Sequence, residues 1–386
     1  MKHLAENREV RKIQFTGRST FILSLPKSWM KEMQLKAGDL VSVVREANNS
    51  LSIIPNDMRA LSSTLEAITI ISDRENTNSL KRKVISIYLS GYNTIHLKSK
   101  TGRINPAQRD AVREVVRRNL VGTEIIADSS DEITIQVLLT LPELSVNTAV
   151  RRMFLLASSM HKDAMLSLAE SNHELANAVV KSDDEVDRFS LYILRNLVIA
   201  TQNERVLREI GLKGPADCLS YRVAVKSIER IADHSSGIAD KCLKIEQKIS
   251  TKDLFQKIEK MSQLSLGVVS DAVEAFLRRD YVMADSVVDK VENIRSVEND
   301  IISHMDRVKT SIANTSNSSF SSSSTAANNI HIKLILEDIR RTAEHASDIA
   351  EAAMNQTIEE VIEKRSPPPS SSSAFTEENR FLSVMR

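Results

Sequence analysis

The chain has 386 residues, enough for two or three domains, and a formal net charge of +1. This balance excludes a protein that is basic throughout, so any surface that binds a polyanion must be local. Aromatic residues make up only 4% of the chain, which favours helices packed on helices. The first residues are charged and no run approaches the ~20 apolar residues of a membrane span, so we expect a cytoplasmic chain without stable membrane insertion. Cys218 and Cys242 match no disulfide framework or metal knuckle and are expected to be buried free thiols.

The first predicted unit spans residues 8–57 and has the alternating polar and apolar texture of short β-strands. A short helix is predicted directly after Pro26, because a helix tolerates proline best at its start. The predicted strands are residues 10–15, 20–25, 40–45 and 51–54, and the predicted helix is residues 27–33. A unit of this size buries little surface alone, so we expect it to dimerise.

Basic side chains are concentrated in this unit. Between residues 8 and 36 the acids are only Glu9 and Glu32. The basic residues of the same segment are Arg8, Arg11, Lys12, Arg18, Lys27, Lys31 and Lys36. A local excess of this kind is typical of surfaces that bind the phosphate backbone of nucleic acids.

Residues 66–140 are predicted to form a small α/β connector, because strand-like and helix-like patterns alternate there. Strands are expected at residues 68–71, 94–97, 124–127 and 133–138, and helices at residues 80–89 and 106–120. The pattern leaves the role of the connector open between a spacer and a ligand-binding subdomain.

From residue 144 to residue 365, apolar residues recur at spacings of three and four with charges between them, the pattern of amphipathic helices. Two similar halves of three helices each are predicted, residues 144–250 and 252–365. The predicted helices are residues 146–170, 174–205, 217–246, 252–278, 282–314 and 331–363. The Ser-rich segment 314–329 is expected to be a flexible loop, and residues 366–386 a disordered tail.

One string of residues occurs twice in this helical region. The copies are residues 228–240 and 339–351, and each contains an arginine, an acid followed by a histidine, and then Ile-Ala-acid. Duplication is the simplest account of this match. His234 and His345 lie about 100° around the helix from their acidic neighbours. We therefore interpret both histidines as helix-packing contacts rather than as ligands that share an ion with those acids.

Acidic side chains repeat at one-turn spacing on two predicted helices of the first half. Asp183 and Asp187 lie on the second helix, and Glu229 and Asp233 lie on the third. If the two faces meet, four carboxylates form a hard-oxygen site suited to Mg, Mn, Fe or Zn. The alternative is a solvated acidic face whose charges pair locally with Arg230, Arg340 and Arg341.

The two three-helix halves, the string E-R-x-x-D-H-x-x-x-I-A at residues 229–239 and the partner D-x-x-x-D resemble the PhoU family in its archaeal type. The resemblance covers about residues 144–365. It implies two related three-helix bundles, with multinuclear iron or zinc clusters bound by E(D)-x-x-x-D motifs in some members. It also implies regulation of phosphate uptake, together with a phosphate transporter complex or its signalling partner.

The resemblance carries the metal-ligand role over to specific residues. In the first half the matching positions are Asp183, Asp187, Glu229 and Asp233. The second half departs from the pattern, since Arg340 stands where Glu229 stands in the first copy. Glu344 is the residue of that half that carries over. A second metal cluster is therefore placed in doubt.

Residues 25–29 (LPKSW), followed by residues 35–41 (LKAGDLV), resemble the AbrB/MazE/SpoVT swapped-hairpin family. Members of that family form intertwined dimers, and their basic strands and loops contact DNA. The DNA contacts that we predict from this resemblance and from the local basic charge are Arg11, Lys12, Arg18 and Lys27. The alternative is a swapped-hairpin domain that serves for dimerisation alone.

These patterns predict a multidomain, mainly α fold with a small β swapped-hairpin domain, an α/β connector and two three-helix-bundle repeats. The favoured function is a homodimeric, DNA-binding regulator of phosphate uptake. The alternative is an adaptor that restrains a phosphate transporter and uses the N-terminal unit only to dimerise. A carboxylate-bridged metalloenzyme ranks last, because Ala232 and Ser347 stand three residues after the repeated acids, where such enzymes carry histidine.

Overall fold

The computed structural model describes residues 9–17, 19–45, 50–55, 65–138, 145–245, 252–313 and 322–362. These residues form eight strands and ten helices. The chain divides into two compact units, residues 1–65 and residues 66–386, and each is described by itself. The tail predicted at residues 366–386 lies outside the described residues.

The N-terminal unit consists of two short antiparallel hairpins and one short helix. Strands β1 (Gln14–Thr16) and β2 (Thr20–Ile22) pair with Phe15 opposite Phe21, and the two rings are 5.1 Å apart. Helix α1 (Lys27–Glu32) begins after Pro26. Strands β3 (Val41–Arg45) and β4 (Leu51–Pro55) form the second hairpin. The predicted strands and helix are confirmed, although β1 and β2 are shorter than the alternating runs.

Apolar side chains of this unit lie largely in solvent. Phe15, Phe21, Val43 and Leu51 are each more than 60% exposed. Pro26 is the one buried residue among those that the structure describes in this unit. An apolar surface of this kind on so small a unit is what a partner subunit would cover. The predicted dimer stays a prediction.

The connector is a four-stranded sheet with two helices. Its elements in chain order are β5 (Glu66–Ile71), α2 (Thr77–Leu89), β6 (Thr94–Ser99), α3 (Pro106–Asn119), β7 (Thr123–Asp128) and β8 (Glu132–Val137). The strand order is β5-β6-β8-β7, with β5 parallel to β6 and the other pairs antiparallel. All six predicted elements are confirmed.

The helices of the connector pack on the strand residues that alternate inward. Leu97 and Ile135 of the sheet and Val84 and Val112 of the helices are fully buried in one cluster. Both helices begin at an asparagine whose side chain accepts a backbone N–H, and at Asn105 the capping box is complete. The alternation of period two and the asparagine caps together explain why these residues form this layer.

The helical region follows the predicted order. The first half contains α4 (Val146–Glu170), α5 (His173–Gln202), α6 (Glu204–Glu209) and α7 (Pro215–Cys242). The second half contains α8 (Lys252–Arg278), α9 (Tyr281–Ala313) and α10 (Ser322–Val361). The six predicted helices are confirmed, and the short α6 was missed because it continues the charged pattern of α5 after a break at Asn203. Among the residues that the structure describes, no helix is long and apolar enough to cross a membrane.

The prediction of a flexible loop over residues 314–329 is wrong in its second half. Helix α10 begins at Ser322, inside that segment, whereas residues 314–321 lie outside the described residues. Serine costs an established helix only a few tenths of a kcal/mol per residue. Propagating a helix is far easier than starting one, so α10 extends back into a run whose composition favours a loop.

The third helices of the two halves, α7 and α10, pack against each other at the centre of the bundle. Gly237 of α7 lies at this contact, since an added Cβ there would lie 3.1 Å from the Asp338 carboxylate of α10. Helices α4 and α5 pack on α7, and α8 and α9 pack on α10. The two halves therefore share one continuous core. Both cysteines are free and buried, as predicted.

A buried arginine joins the connector to the helical bundle. The Arg195 side chain of α5 is 4% exposed and donates to the carbonyls of Tyr88 and Gly91, the latter at 3.1 Å. It also donates to the Asn93 side chain at 2.7 Å and stacks over the Tyr88 ring at 4.8 Å. These carbonyls lie at the end of α2, where the helix dipole favours a cation. Burial lowers the pKa of Arg195, and the carbonyl oxygens stand in for a carboxylate partner.

We expect Arg195→Met to reduce the free energy of unfolding by about 2–3 kcal/mol, because it leaves buried carbonyls without a donor. The matched control is Arg205→Met, which removes an exposed pair with Glu209 and should cost less than about 0.5 kcal/mol. Urea unfolding measures both. Hydrogen exchange at residues 88–93 should rise only in Arg195→Met. Equal stability of the two variants would contradict this role of Arg195.

Candidate functional site

The four acids of the first half are brought to one contact between two helices. Asp183 and Asp187 lie one turn apart on α5, Glu229 and Asp233 lie one turn apart on α7, and α5 packs on α7. The charges of both α7 acids act on Asp183 and on Asp187. The predicted D-x-x-x-D therefore does face the predicted E-x-x-x-D.

Burial and mutual repulsion raise the pKa of three of these carboxyl groups. Desolvation, followed by the charges of Asp233 and Asp187, raises the pKa of Asp183 to about 7. Desolvation and the charge of Glu229 raise the pKa of Asp187 to about 6. The pKa of Asp233 is also raised, by desolvation first and then by Glu229. The positive charge near the site therefore does not offset the burial and repulsion of these three acids.

Two of the four carboxylates have ion-pair or hydrogen-bond partners. Lys226 forms an ion pair with Glu229, and the Ser190 hydroxyl donates to Glu229 Oε2 at 2.5 Å. Arg230 lies 3.6 Å from Asp233. In the part of the chain that the structure describes, no cation contacts Asp183 or Asp187. The local pairing that the alternative interpretation predicts at Arg230 is present, but it neutralises only part of the site.

The side chains as they stand are not a closed metal-binding set. Within residues 9–362, gaps excepted, no three His, Cys, Asp or Glu side chains converge on one ion position. Charges raise one another's pKa over several ångströms, whereas a metal needs its oxygen ligands at about 2.0–2.6 Å. A cation would draw the carboxylates inward, and Glu229 would leave Lys226. The donors are four carboxylates short of compensating charge, a set that suits hard divalent cations such as Mg or Mn and that also accepts iron or zinc.

The second half neutralises its acid internally. Glu344 of α10 accepts from Arg295 of α9 at 3.0 Å, from Arg341 at 3.2 Å and from Arg340. Burial raises its pKa, but the hydrogen bonds from Arg295 and Arg340 outweigh burial and hold the pKa of Glu344 below its usual range. Glu344 is thus placed in its own cluster with three guanidinium groups, apart from the four acids of the first half.

The contact that Arg340 makes explains the difference between the two halves. Arg340, the counterpart of Glu229, pairs with Glu298 of α9 at 2.8 Å. Its equivalent in the first half is the contact between Glu229 and Ser190 of α5. An acid facing a hydroxyl in one repeat is thus an arginine facing an acid in the other. At this position the first repeat has an acid, Glu229, that pairs with Lys226 of its own helix. The second repeat has an ion pair between two helices instead.

The repeated histidines form the middle of the contact between α7 and α10. The rings of His234 and His345 stack at 5.4 Å with an angle of 23° between their planes. His234 bonds Asp338 at 3.1 Å, and His345 bonds Asp348 at 3.0 Å. The interpretation of both as helix-packing residues is confirmed. Lys241 pairs with Asp338 at 2.6 Å, so this acid is engaged from both sides.

The residues predicted to contact DNA lie in separate segments of the N-terminal unit. Arg11 and Lys12 precede β1 and are exposed, and Arg11 pairs with Glu9. Lys27 is the exposed first residue of α1. Arg18 lies outside the described residues.

Sequence reasoning missed three side chains that shape the sites. Lys226 stands three residues before Glu229, a spacing at which helical side chains meet, and this signal was available. Ser190 and Arg295 act across helix contacts, on Glu229 and Glu344. No spacing within one helix reveals partners of that kind.

The fold and the site define a duplicated three-helix bundle with an acidic contact between two helices of its first repeat. The sequence profile of the PhoU domain matches residues 150–242 and again residues 258–353. The helical part of the chain therefore belongs to the PhoU family. A second profile, described as Antidote-toxin recognition MazE, bacterial antitoxin, matches residues 14–60.

Curated relatives support the assignment. A phosphate-specific transport system accessory protein PhoU homolog 1 of Thermotoga maritima is 30% identical over 155 residues, which are 37% of this chain and 62% of that protein. A PhoU homolog of Aquifex aeolicus is 26% identical over 33% of this chain and 56% of its own length. One from Caulobacter vibrioides is 26% identical over 54% of this chain and 85% of its own. The chain thus spans less than two thirds of the first two relatives.

Two solved structures are similar to this chain. The phosphate transport system regulatory protein PhoU from Streptococcus pneumoniae matches with 19% identity and a TM-score of 0.46, over 57% of this chain and 96% of that one. PhoU from Pseudomonas aeruginosa matches with 18% identity and a TM-score of 0.47, over 55% and 96%.

We expect Asp183→Asn to stabilise the metal-free protein at pH 8 and to have no effect near pH 4. The folded pKa of about 7 lies above the ordinary value of about 3.9. Stability from the protonated group is therefore complete below about pH 3.9 and is lost as pH rises toward 7. With a chelator present, the melting temperature at pH 8 should rise by a few degrees.

The matched control for this experiment is Glu185→Gln, an exposed acid of the same helix that is not among the charges acting on Asp183 or Asp187. It should leave the melting temperature nearly unchanged at both pH values. An Asp183→Asn protein that is no more stable than its parent at pH 8 would show that Asp183 is well solvated.

Proposed function

We propose that this protein is a cytoplasmic, dimeric, DNA-binding regulator of phosphate transport. The observation that carries the proposal is the joining, in one chain, of two PhoU domains to a MazE-type N-terminal unit. The curated relatives are named as accessory proteins of a phosphate-specific transport system. A phosphate transporter complex or its signalling partner is therefore the proposed protein partner of the helical bundle.

The proposed dimer is supported by the surface of the N-terminal unit. Its two hairpins leave Phe15, Phe21 and Val43 more than 60% exposed. Covering these side chains with a second copy would stabilise the unit by roughly 25 cal/mol per Å² of apolar surface removed from water. Two copies would also double the basic surface that faces the nucleic acid, which raises affinity through neutralisation of more phosphates.

The proposed DNA contacts are the four basic residues predicted from the sequence. Arg11, Lys12 and Lys27 are exposed, as residues that bind phosphate groups must be. Arg11 would exchange its pair with Glu9 for a phosphate. Arg18 lies outside the described residues, so its place in the proposed set rests on the sequence pattern alone.

We expect the full-length protein to bind promoter fragments upstream of phosphate-transport genes with an affinity that falls steeply with salt. Substitution of Arg11, Lys12, Arg18 or Lys27 by Ala removes at most one phosphate contact per subunit. Each should therefore weaken binding and lower the slope of log affinity against log salt by about one per lost contact. Fluorescence anisotropy over a salt series measures both quantities.

The control for DNA binding is Arg208→Ala, which removes an exposed arginine of the helical unit. It should bind like the parent. The oligomeric state of each variant is followed by sedimentation. A dimer that does not bind DNA at low salt would contradict the regulator proposal. It would favour the second candidate, an adaptor that restrains a phosphate transporter or its signalling partner.

We further propose that the first repeat binds iron or zinc through Asp183, Asp187, Glu229 and Asp233. The support is electrostatic. Burial first, and then repulsion among these acids, raises the pKa of Asp183 and of Asp187, and a cation would relieve the repulsion. Glu344 stays a predicted ligand, but it would have to leave Arg295, Arg340 and Arg341 in order to bind a metal.

We expect the Asp183→Asn, Glu229→Gln double variant to lose most of the metal that the parent retains after loading and dialysis. Two of the four carboxylate charges are then absent, and affinity for hard cations follows ligand charge. Elemental analysis gives the metal content, and the rise in melting temperature on loading gives an independent measure.

The second repeat supplies the matched comparison for the metal experiment. Glu344→Gln should retain the metal content of the parent, because its carboxylate is already occupied by three arginines. Equal metal in the double variant and the parent, or a comparable loss in Glu344→Gln, would contradict the site as placed.

A further inference from the structure

A surface cavity lies between α7 and α10, and Lys226 and Arg230, which pair with two of the four acids, are part of its lining. Its volume is about 270 Å³, and α7 and α10 form its walls. Three cations of α7 line it at successive turns, and they are Arg222, Lys226 and Arg230. Ser227 of α7 and His345 and Asp348 of α10 complete the polar lining.

Three cations of one helix lie close together in this cavity, and Lys226 and Arg230 pair with Glu229 and Asp233 of the acidic site. Like charges at a spacing of four residues destabilise a helix by some tenths of a kcal/mol per pair. Arg222 is exposed and, among the residues that the structure describes, has no ion pair or hydrogen bond through its side chain. The fold thus presents an unpaired guanidinium at the rim of a cavity that two further cations line.

The one carboxylate of the lining is engaged by neutral groups and a histidine. Asp348 accepts from the Ser227 hydroxyl at 3.4 Å and bonds His345 Nδ1 at 3.0 Å. Within the described residues, no lysine or arginine of the cavity pairs with it. Asp348 therefore orients two hydrogen-bonding groups of the lining and does not neutralise Arg222.

We propose that this cavity binds a tetrahedral oxyanion of the phosphate class. Arg222 offers a planar fork that matches two phosphate oxygens, and Lys226 and Arg230 add charge-assisted donors from the next turns. The volume admits a free phosphate or a small phosphomonoester and lies below the range of most drug-sized ligand pockets. The cations exclude a metal ion as the occupant, since they repel it.

Two of these cations are shared with the acidic site. Lys226 pairs with Glu229, and Arg230 lies 3.6 Å from Asp233, when the carboxylates are without a cation. A metal ion at the carboxylates, which rests on the proposed function, would release both side chains toward the cavity. Metal and oxyanion would then each strengthen the binding of the other by the same factor. The oxyanion site itself does not depend on that metal.

The experiment is isothermal titration of the full-length protein with inorganic phosphate and, separately, with glycerol 3-phosphate, against a sulfate control. Arg222→Gln is the decisive variant, because Arg222 contacts none of the four acids. We expect millimolar or tighter phosphate binding that Arg222→Gln weakens about tenfold. Arg222→Lys should weaken it less, and Arg152→Gln, an exposed arginine on α4, should not change it.

The outcomes separate the ligand source from the site. Stronger binding of glycerol 3-phosphate than of phosphate identifies a phosphomonoester, and the reverse identifies the free ion. Helical circular dichroism confirms that Arg222→Gln is folded. Failure of both ligands to bind at millimolar concentration, or equal affinity in Arg222→Gln and the parent, overturns the proposal whatever the metal experiment gives.

Discussion

The close packing of α7 on α10 is the constraint on which the rest of the bundle depends. Gly237 of α7 faces Asp338 of α10, where an added Cβ would lie 3.1 Å from the carboxylate, so the two helices approach closely at this point. His234 and Lys241 of α7 both engage Asp338 across this contact, and further charged groups lie on its flanks, where each central helix meets the outer helices of its own repeat. The acidic site and the arginine cluster occupy those flanks, and the stacked pair of His234 and His345 spans the contact itself.

The duplication supplies an internal comparison that separates fold from function. In the second repeat, Arg340 and Glu298 make a 2.8 Å ion pair at the position where the first repeat sets Glu229 against Ser190. The same architecture is therefore built equally well with balanced charge. Acids whose pKa values are raised cost folding free energy when they ionise, and the second repeat shows that the fold does not require this cost. The excess negative charge of the first repeat is therefore not required by the fold, and the proposed metal ion would account for it.

Helix identity and order were predictable because 3.6-residue periodicity persists over long segments, and the duplicated string disclosed the two halves. The grouping of Asp183 with Asp187 and of Glu229 with Asp233 was predictable for the same reason, since one-turn spacing puts each pair on one helix face. That the two faces meet was implied by the family resemblance and not by the spacing. The neutralisation of Glu344 by Arg295 was not, because it depends on how α9 is rotated against α10. The start of α10 at Ser322 was also missed, because composition reports average propensity and a long helix overrides it locally.

Helix α5 connects the acidic site to the rest of the chain in a way that constrains the role of the connector. Asp187 and Arg195 are eight residues apart on this helix, or about 12 Å along its axis. Arg195 is inserted among carbonyls at the end of α2, and Ile199 approaches Gly91, where an added Cβ would lie 3.1 Å from its side chain. Drawing Asp187 toward Glu229 by a shift or rotation of α5 would therefore strain the contacts that hold α2. Residues 66–138 are therefore fixed to the first repeat through α5, by the hydrogen bonds of Arg195 and its stacking on Tyr88.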